Sequence, residues 1–423
     1  MSTAISGQID IAGPVGKLLH RRPLQNATVM QSFGIDPVTG DIYVLQIMEG
    51  GLRLSGEPEE LPWATRSTNG DLCLTRLSPT GAITGHMYLR GFGHGVNLGV
   101  DNRDGVVWLW TETASSPNGE NDGFGTAVTS FRFASGTVLD YGSPAHTTPY
   151  RPTTNARGVT PTIDRSANEL VLRFNLSGVM TFERYDLAKA TAGEWVPLQR
   201  LSVTLPSTGV DFQGYASHAG VLYTLQGQSL SAAPLPGNAY ITAIEWATGA
   251  VLDRQHITAG PGLPWREAEG MNVSVRGGVP YLHFGFACED PGPRTCTILS
   301  LSGAPEVDGV KVLTGWQPIT LAPGVSVDQN APRGRLISVA GTTTLQLSGG
   351  IKGSFDADAV IGHLPDSLTP SMTARASVPR NNNGGYVTAR VEAGTDRELR
   401  LYGGRSTNVI TWVQLDSFSA AWS

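Results

Sequence analysis

One phrase, repeated with variations, governs what this chain can fold into. Its first copy, residues 31–46, reads QSFGIDPVTGDIYVLQ. A polar start leads to an aromatic, a glycine, a branched apolar residue and Asp36. A turn from Pro37 to Gly40 follows, then the apolar run Ile42-Tyr43-Val44-Leu45. Proline fixes φ for a turn and glycine accepts a positive φ, so the phrase reads strand, tight turn, strand. Looser copies begin at His94, Thr160, Asp211 and Glu267, roughly 50–65 residues apart, a spacing expected of radial or stacked repeats. A lone hairpin leaves an apolar face in water and is marginal. Four-stranded repeats hide that face by packing blade against blade round an axis. Residues 1–312 are therefore expected to form a five-bladed β-propeller. A large β-sandwich or β-helix is the competing fold for the same pattern.

The rest of each repeat supports this reading. Residues 72–77 and 82–89 flank the turn Ser78-Pro79-Thr80-Gly81, and residues 128–133 and 137–141 flank Ala134-Ser135-Gly136. Residues 240–246 and 250–256 flank Ala247-Thr248-Gly249. Each pair reads as an outer hairpin. Part of the first 30 residues is expected to supply the strand that closes the ring, because closure removes a sticky sheet edge. After about residue 312 the style changes to short strands with Gly and Asn turns. Residues 313–423 are expected to form a small C-terminal β-sandwich, jelly-roll-like, so the whole chain reads as all-β.

Composition excludes several function classes. The net charge of −6 gives no electrostatic footprint for nucleic acid. No stretch of about 18 apolar residues occurs, so no membrane insertion is expected. The start, MSTAISGQIDIAG, lacks a basic region followed by an apolar run. The expectation is synthesis in a cytoplasm without a signal peptide, and release by lysis or in an assembled particle. Cys73, Cys288 and Cys296 are too few for a disulfide scaffold. Cys288 and Cys296 flank a turn-rich loop and could face each other across a hairpin, so a bond there is possible but not needed. No further ligands stand near them to make a zinc site.

No G-x-S-x-G elbow, P-loop, G-x-G-x-x-G or H-E-x-x-H motif occurs. The glycine-rich stretches Phe92-Gly93-His94-Gly95 and Asp122-Gly123-Phe124-Gly125 lie between strands, which weakens a phosphate-cradle reading. In a propeller the innermost strands line the axis, so polar residues at matching repeat positions converge. The candidates are Gln31 and Asp36, then His94, then Gln213 and His218, then Glu269. Ser32, Asn97 and Asn272 accompany them. Such a ring could hold a structural divalent cation such as calcium, hydrogen-bond a sugar, or be a hydrated channel that only satisfies itself. Glu267 with Glu269, or Asp101 with Asp104, are candidate acid/base pairs, with solvated turn chemistry as the plainer reading. Trp63 and Trp265 each follow a proline in a long loop, which makes them the aromatics best suited to face a sugar.

The opening phrase, residues 28–36 followed by Ile42-Tyr43-Val44-Leu45-Gln46, resembles the β-propeller of phage receptor-binding proteins and of proteins labelled teichoic acid biosynthesis protein C. Gln213-Gly214-Tyr215 and Glu269-Gly270-Met271 fit the same pattern. The part beginning Gly315-Trp316-Gln317-Pro318, with Leu364-Pro365 and Trp412, resembles the end domain of tail fibres. The resemblance implies a virion-tail adhesin, a homotrimer attached to other tail or baseplate proteins. Its partner would be a host cell-surface glycan or teichoic acid. No catalytic residue is carried over. The alternative is a cell-wall polymer depolymerase, a hydrolase or phosphodiesterase acting in the propeller channel.

Overall fold

The computed structural model describes residues 8–117, 122–206, 209–302, 310–339 and 342–422. They fall into two compact units, one within Gln8–Ala304 and the other within Pro305–Ser423. The first holds five sheets, one per repeat. Blade 1 runs Met30–Ile35, Ile42–Ile47, Leu72–Leu77 and Ile83–Arg90. Blade 2 runs Gly99–Arg103, Val106–Pro117 and Gly123–Arg132. Blade 3 runs Arg157–Asp164, Glu169–Leu176, Val179–Asp186 and Pro197–Val203. Blade 4 runs Phe212–His218, Val221–Gln226, Tyr240–Glu245 and Val251–His256. Blade 5 runs Glu267–Arg276, Val279–Cys288 and Thr295–Ser302, and its outer strand is Val15–Pro23 from the start of the chain.

The first strands touch one another in cyclic order, blade 1 to 2, 2 to 3, 3 to 4, 4 to 5 and 5 back to 1. This ring makes the unit a five-bladed propeller. Burial follows from it. The two inner strands of blade 1 are buried at every residue, because a blade stacks on each face. The outer strands Val15–Pro23 and Val251–His256 are mostly exposed or half-buried. Apolar clusters fill the gaps between blades. Leu45, Leu74, Val100 and Phe131 pack between blades 1 and 2, and Leu19, Met30, Phe33 and Ile298 pack between blades 5 and 1.

At the axis the strands come closer than side chains permit. Gly270 has φ +72°, and a Cβ there would lie 2.7 Å from Ser32 Cα of the next blade. A Cβ on Gly214 would lie 3.0 Å from Gly270 Cα. The small residues Ser32, Gly214 and Gly270 are thus what lets the backbones of blades 1, 4 and 5 meet. The N-terminal strand then seals the ring, with Val15 opposite Leu301 and Arg22 opposite Cys296, as the need to remove an edge requires.

Some sequence expectations are corrected. Val138–Asp140 was expected as the outer partner of residues 128–133 in its own blade. It pairs instead in parallel with the outer strand of blade 1, Tyr88 opposite Val138 and Arg90 opposite Asp140. The vacated edge is met by bridges from Val128 to Tyr150 and Phe131 to His146. Cys288 and Cys296 do not face each other. Cys288 is opposite Thr295 and Cys296 is opposite Ala287, and an offset of one residue turns the two thiols to opposite faces of the sheet. Both are free and buried.

Residues 303–309, next to the division expected at residue 312, lie outside the described residues. Val310–Val312 pairs with Ser326–Val339 of the second unit. That unit is one eleven-stranded sheet rolled nearly into a barrel. Its two halves join where Arg380 meets Val413. Leu345, Ile351, Ile361, Val391, Leu401 and Val413 come from both halves and share a single core. Among the described residues no helix is long and apolar enough to cross a membrane.

Axial crowding can be measured. Gly270→Ala is expected to lower the unfolding free energy by about 2–4 kcal/mol, combining left-handed strain with overpacking. Gly277→Ala has φ +57° but open space around it, and is expected to cost only about 1–2 kcal/mol. Equal losses in equilibrium denaturation would refute the crowding.

Candidate functional site

The segments leading into and beginning the first strands of four blades open into a cavity of about 630 Å³, within the roughly 300–1,000 Å³ typical of small-molecule sites. Its lining comes in pairs two residues apart. Val29 and Gln31 come from blade 1, His94 and Val96 from blade 2, Asp211 and Gln213 from blade 4, Glu267 and Glu269 from blade 5. Residues two apart on a strand point the same way. Backbone register shifts between Met30 and Ser32, Phe212 and Gly214, and Ala268 and Met271 mark the same stretch. Phe124, Asp122, Trp63 and Arg294 complete much of the wall.

Just beyond Val96, the Asn97 amide ties the blades together. It donates to the carbonyls of Pro161 (3.2 Å) and Tyr215 (3.1 Å), and accepts from the Tyr215 N–H (3.3 Å).

Two polar lining residues lack partners. Gln31 is 9 % exposed and Glu269 4 %. Neither side chain has a hydrogen bond or ion pair among the described residues. Burial, together with the Glu267 and Asp211 charges, holds the Glu269 carboxyl well above the usual range. His94 stacks on Phe124 at 4.6 Å. Burial pushes its imidazole down, opposed by Asp122, and its buried Nδ1 has no partner among the described residues.

The two glycine-rich stretches do not cradle a phosphate. They wrap the fully buried Glu112, whose carboxylate accepts N–H donors from Gly95 (2.6 Å) and Gly125 (2.5 Å), and from His94 and Val96. A Cβ on Gly125 would sit 2.4 Å from Glu112 Cβ. The anion of this nest is therefore the protein's own, and it holds the His94 loop in place. Burial raises the Glu112 carboxyl, while these four donors pull the other way.

Trp63 stands on the helix Trp63–Asn69 and is 51 % exposed. The long loop that carries it is fixed by Arg66, which is wholly buried. Arg66 donates to Glu57 (2.5 and 2.7 Å), Asp71 (3.0 Å) and the Leu52 carbonyl (2.8 Å). Its bonds hold the Glu57 carboxyl down to about 2.

Of the residues singled out by sequence, Gln31, His94, Gln213, Glu269 and Trp63 line this one cavity. Three do not. Asp36 lies about 16 Å along its strand from Gln31, at the rise of an extended chain. There it caps the turn, accepting from the Val38 N–H (2.9 Å) and the Thr39 hydroxyl (2.7 Å), and from Asn102 of blade 2 (3.1 Å). His218 ends the strand Phe212–His218 at the same far side. Trp265 sits behind the wall: it donates to Glu267 at 2.7 Å and lies under the Arg294 guanidinium at 4.2 Å. Asp101 is an ion-pair partner of Arg103 and Arg165, and Asp104 occupies a positive-φ turn, so they form no acid/base pair. Among the described residues no three His, Cys, Asp or Glu side chains are grouped to hold a metal ion. Sequence reasoning missed Asp211, Asp122, Phe124 and Arg294 as lining residues. For Asp211 a signal existed: Asp211-x-Gln213 repeats the Glu267-x-Glu269 spacing.

A family model described as the phage 5-bladed beta propeller receptor binding platform domain matches residues 29–272. A Bacillus subtilis (strain 168) protein bearing the name major teichoic acid biosynthesis protein C is 25% identical over 309 residues, 68% of this chain. The chain spans 63% of the length of that relative. The tail fibre of Staphylococcus aureus phage P68 has a similar fold, with TM-score 0.53, 13% identity, and 94% and 97% of the two chains covered. A thermostable family-43 glycoside hydrolase gives TM-score 0.37 at 11% identity, with 70% and 96% covered.

Glu112→Gln turns one acceptor oxygen into a donor facing N–H groups. It is expected to cost about 2–3 kcal/mol of stability in denaturant unfolding. A loss under about 0.5 kcal/mol would show that the nest does not hold the loop.

Proposed function

Since this chain belongs to the phage five-bladed β-propeller receptor-binding platform family, we propose that it adsorbs a virion to a host cell-surface glycan through the axial cavity. The observation that carries this is the pairing of unpartnered Gln31 and Glu269 with the exposed Trp63 in one sugar-sized space. Amide and carboxylate groups bind hydroxyls, and an indole face packs on the apolar face of a sugar ring. The relative named for teichoic acid biosynthesis supports a cell-wall polymer as the receptor. The second unit exposes Tyr386 (61 %) and Val387 (54 %). In this reading it joins copies of the chain into a homotrimer and meets other tail or baseplate proteins.

The test is retention of the purified protein by cell walls, before and after teichoic acid is stripped with hydrofluoric acid. Retention lost on stripping is the expected result. Walls that never retain the protein would overturn the reading. Gln31→Ala combined with Trp63→Ala is expected to weaken retention at least tenfold, about 1.4 kcal/mol, with an unchanged unfolding midpoint. Tyr386→Ala should leave retention unaltered and reduce oligomer formation.

A second reading has one observation in its favour. Glu267 and Glu269 share the cavity, and Glu269 favours its protonated form, as a general acid must. New reducing ends or phosphomonoesters released from wall polymer would establish a depolymerase. Their absence would exclude it.

A further inference from the structure

We propose that the axial cavity recognises a protonated amine on the receptor glycan, with Glu269 as its counter-ion. This rests on the receptor-binding reading and names the chemistry of the group bound. Among the described residues the lining is acidic: Asp122, Asp211, Glu267 and Glu269 stand against Arg294. Arg294 is already engaged, 3.2 Å from the Asp290 carboxylate and bonded to the Glu289 carbonyl. Asp122 accepts from Ser67 at 2.5 Å, Glu267 from Trp265 at 2.7 Å, and Asp211 from Gln228 at 3.1 Å. Glu269 alone of the four carboxylates has no donor among the described residues, and it is the most buried.

An uncompensated buried carboxylate is costly unless a cation arrives with the ligand. A metal ion is a poor match, because the carboxylates are not grouped round one point. Phosphate would be repelled. An ammonium group fits, because aromatic faces at Trp63 and Phe124 also attract cations. Gln31 offers a carbonyl for one ammonium hydrogen and an amide for a neighbouring hydroxyl.

The amine could be carried by an amino sugar or by an ester-linked amino acid. The probes are glucosamine, N-acetylglucosamine and alanine methyl ester, titrated into the full chain by calorimetry. Glucosamine or the alanine ester is expected to bind at least tenfold tighter than N-acetylglucosamine, and which of the two does so identifies the source. Binding should strengthen as pH rises above the ordinary carboxylate range and Glu269 ionises, with Asp122, Asp211, Glu267, His94 and Arg294 around it. Glu269→Gln should remove both the preference and the pH dependence. It should be no less stable than the parent at neutral pH, since a raised carboxyl loses stability as pH rises through its range.

A second arm needs no variant. Capping wall amines with acetic anhydride should cut retention of the parent protein about tenfold. Undiminished retention on acetylated walls, or N-acetylglucosamine binding as well as glucosamine, would overturn the amine proposal and leave the receptor reading standing. Failure to bind untreated walls would remove both.

Discussion

Everything in the first unit depends on how closely five strand backbones can approach one axis. Apolar faces drive the blades together, and blades 4, 5 and 1 approach most closely where a glycine or serine stands in the phrase. Gly214 against Gly270, and Gly270 against Ser32, are the tightest of these meetings. Once the axis is that narrow, the residue just before each small one is left at the rim of the contact. Gln31, Gln213 and Glu269 occupy that position. The packing rule that builds the ring is thus the rule that gathers the polar groups.

Those groups are then held under electrostatic tension. Glu112, fully buried, is satisfied by backbone donors and is structural. Glu269, almost as buried, is left unsatisfied. The fold has evident means to compensate a buried carboxylate, as Arg66 does for Glu57 and Asp71. That contrast is why Glu269 reads as a group kept for a ligand rather than an ordinary member of the core.

Much of this was legible in the residues. The phrase QSFGID, its spaced copies and the Pro-Gly turns specify hairpins and their number. Gln31, His94, Gln213 and Glu269, each at the start of a copy, line the axial cavity. Asp36 and His218 lie at the other ends of the same strands and not in the cavity. A strand of six residues carries its two ends to opposite faces of the ring. Trp265 was misplaced because its proline-rich loop doubles back behind Glu267. The parallel pairing of Val138–Asp140 with blade 1 had no local signal, since nothing in a three-residue strand names its partner. The glycine-rich loops were open to a phosphate reading because the anion they enclose, Glu112, sits on another strand.

The closing strand sets a condition on synthesis. Val15 must wait for Leu301 before it has a partner. At bacterial elongation speeds, on the order of 280 intervening residues take tens of seconds to emerge from the ribosome. For that interval the nascent blades form an open arc with two bare edges. The contacts that end it span nearly the whole unit, the arrangement that folds most slowly. Exposed edges during that interval are where an incomplete chain is most open to mispairing.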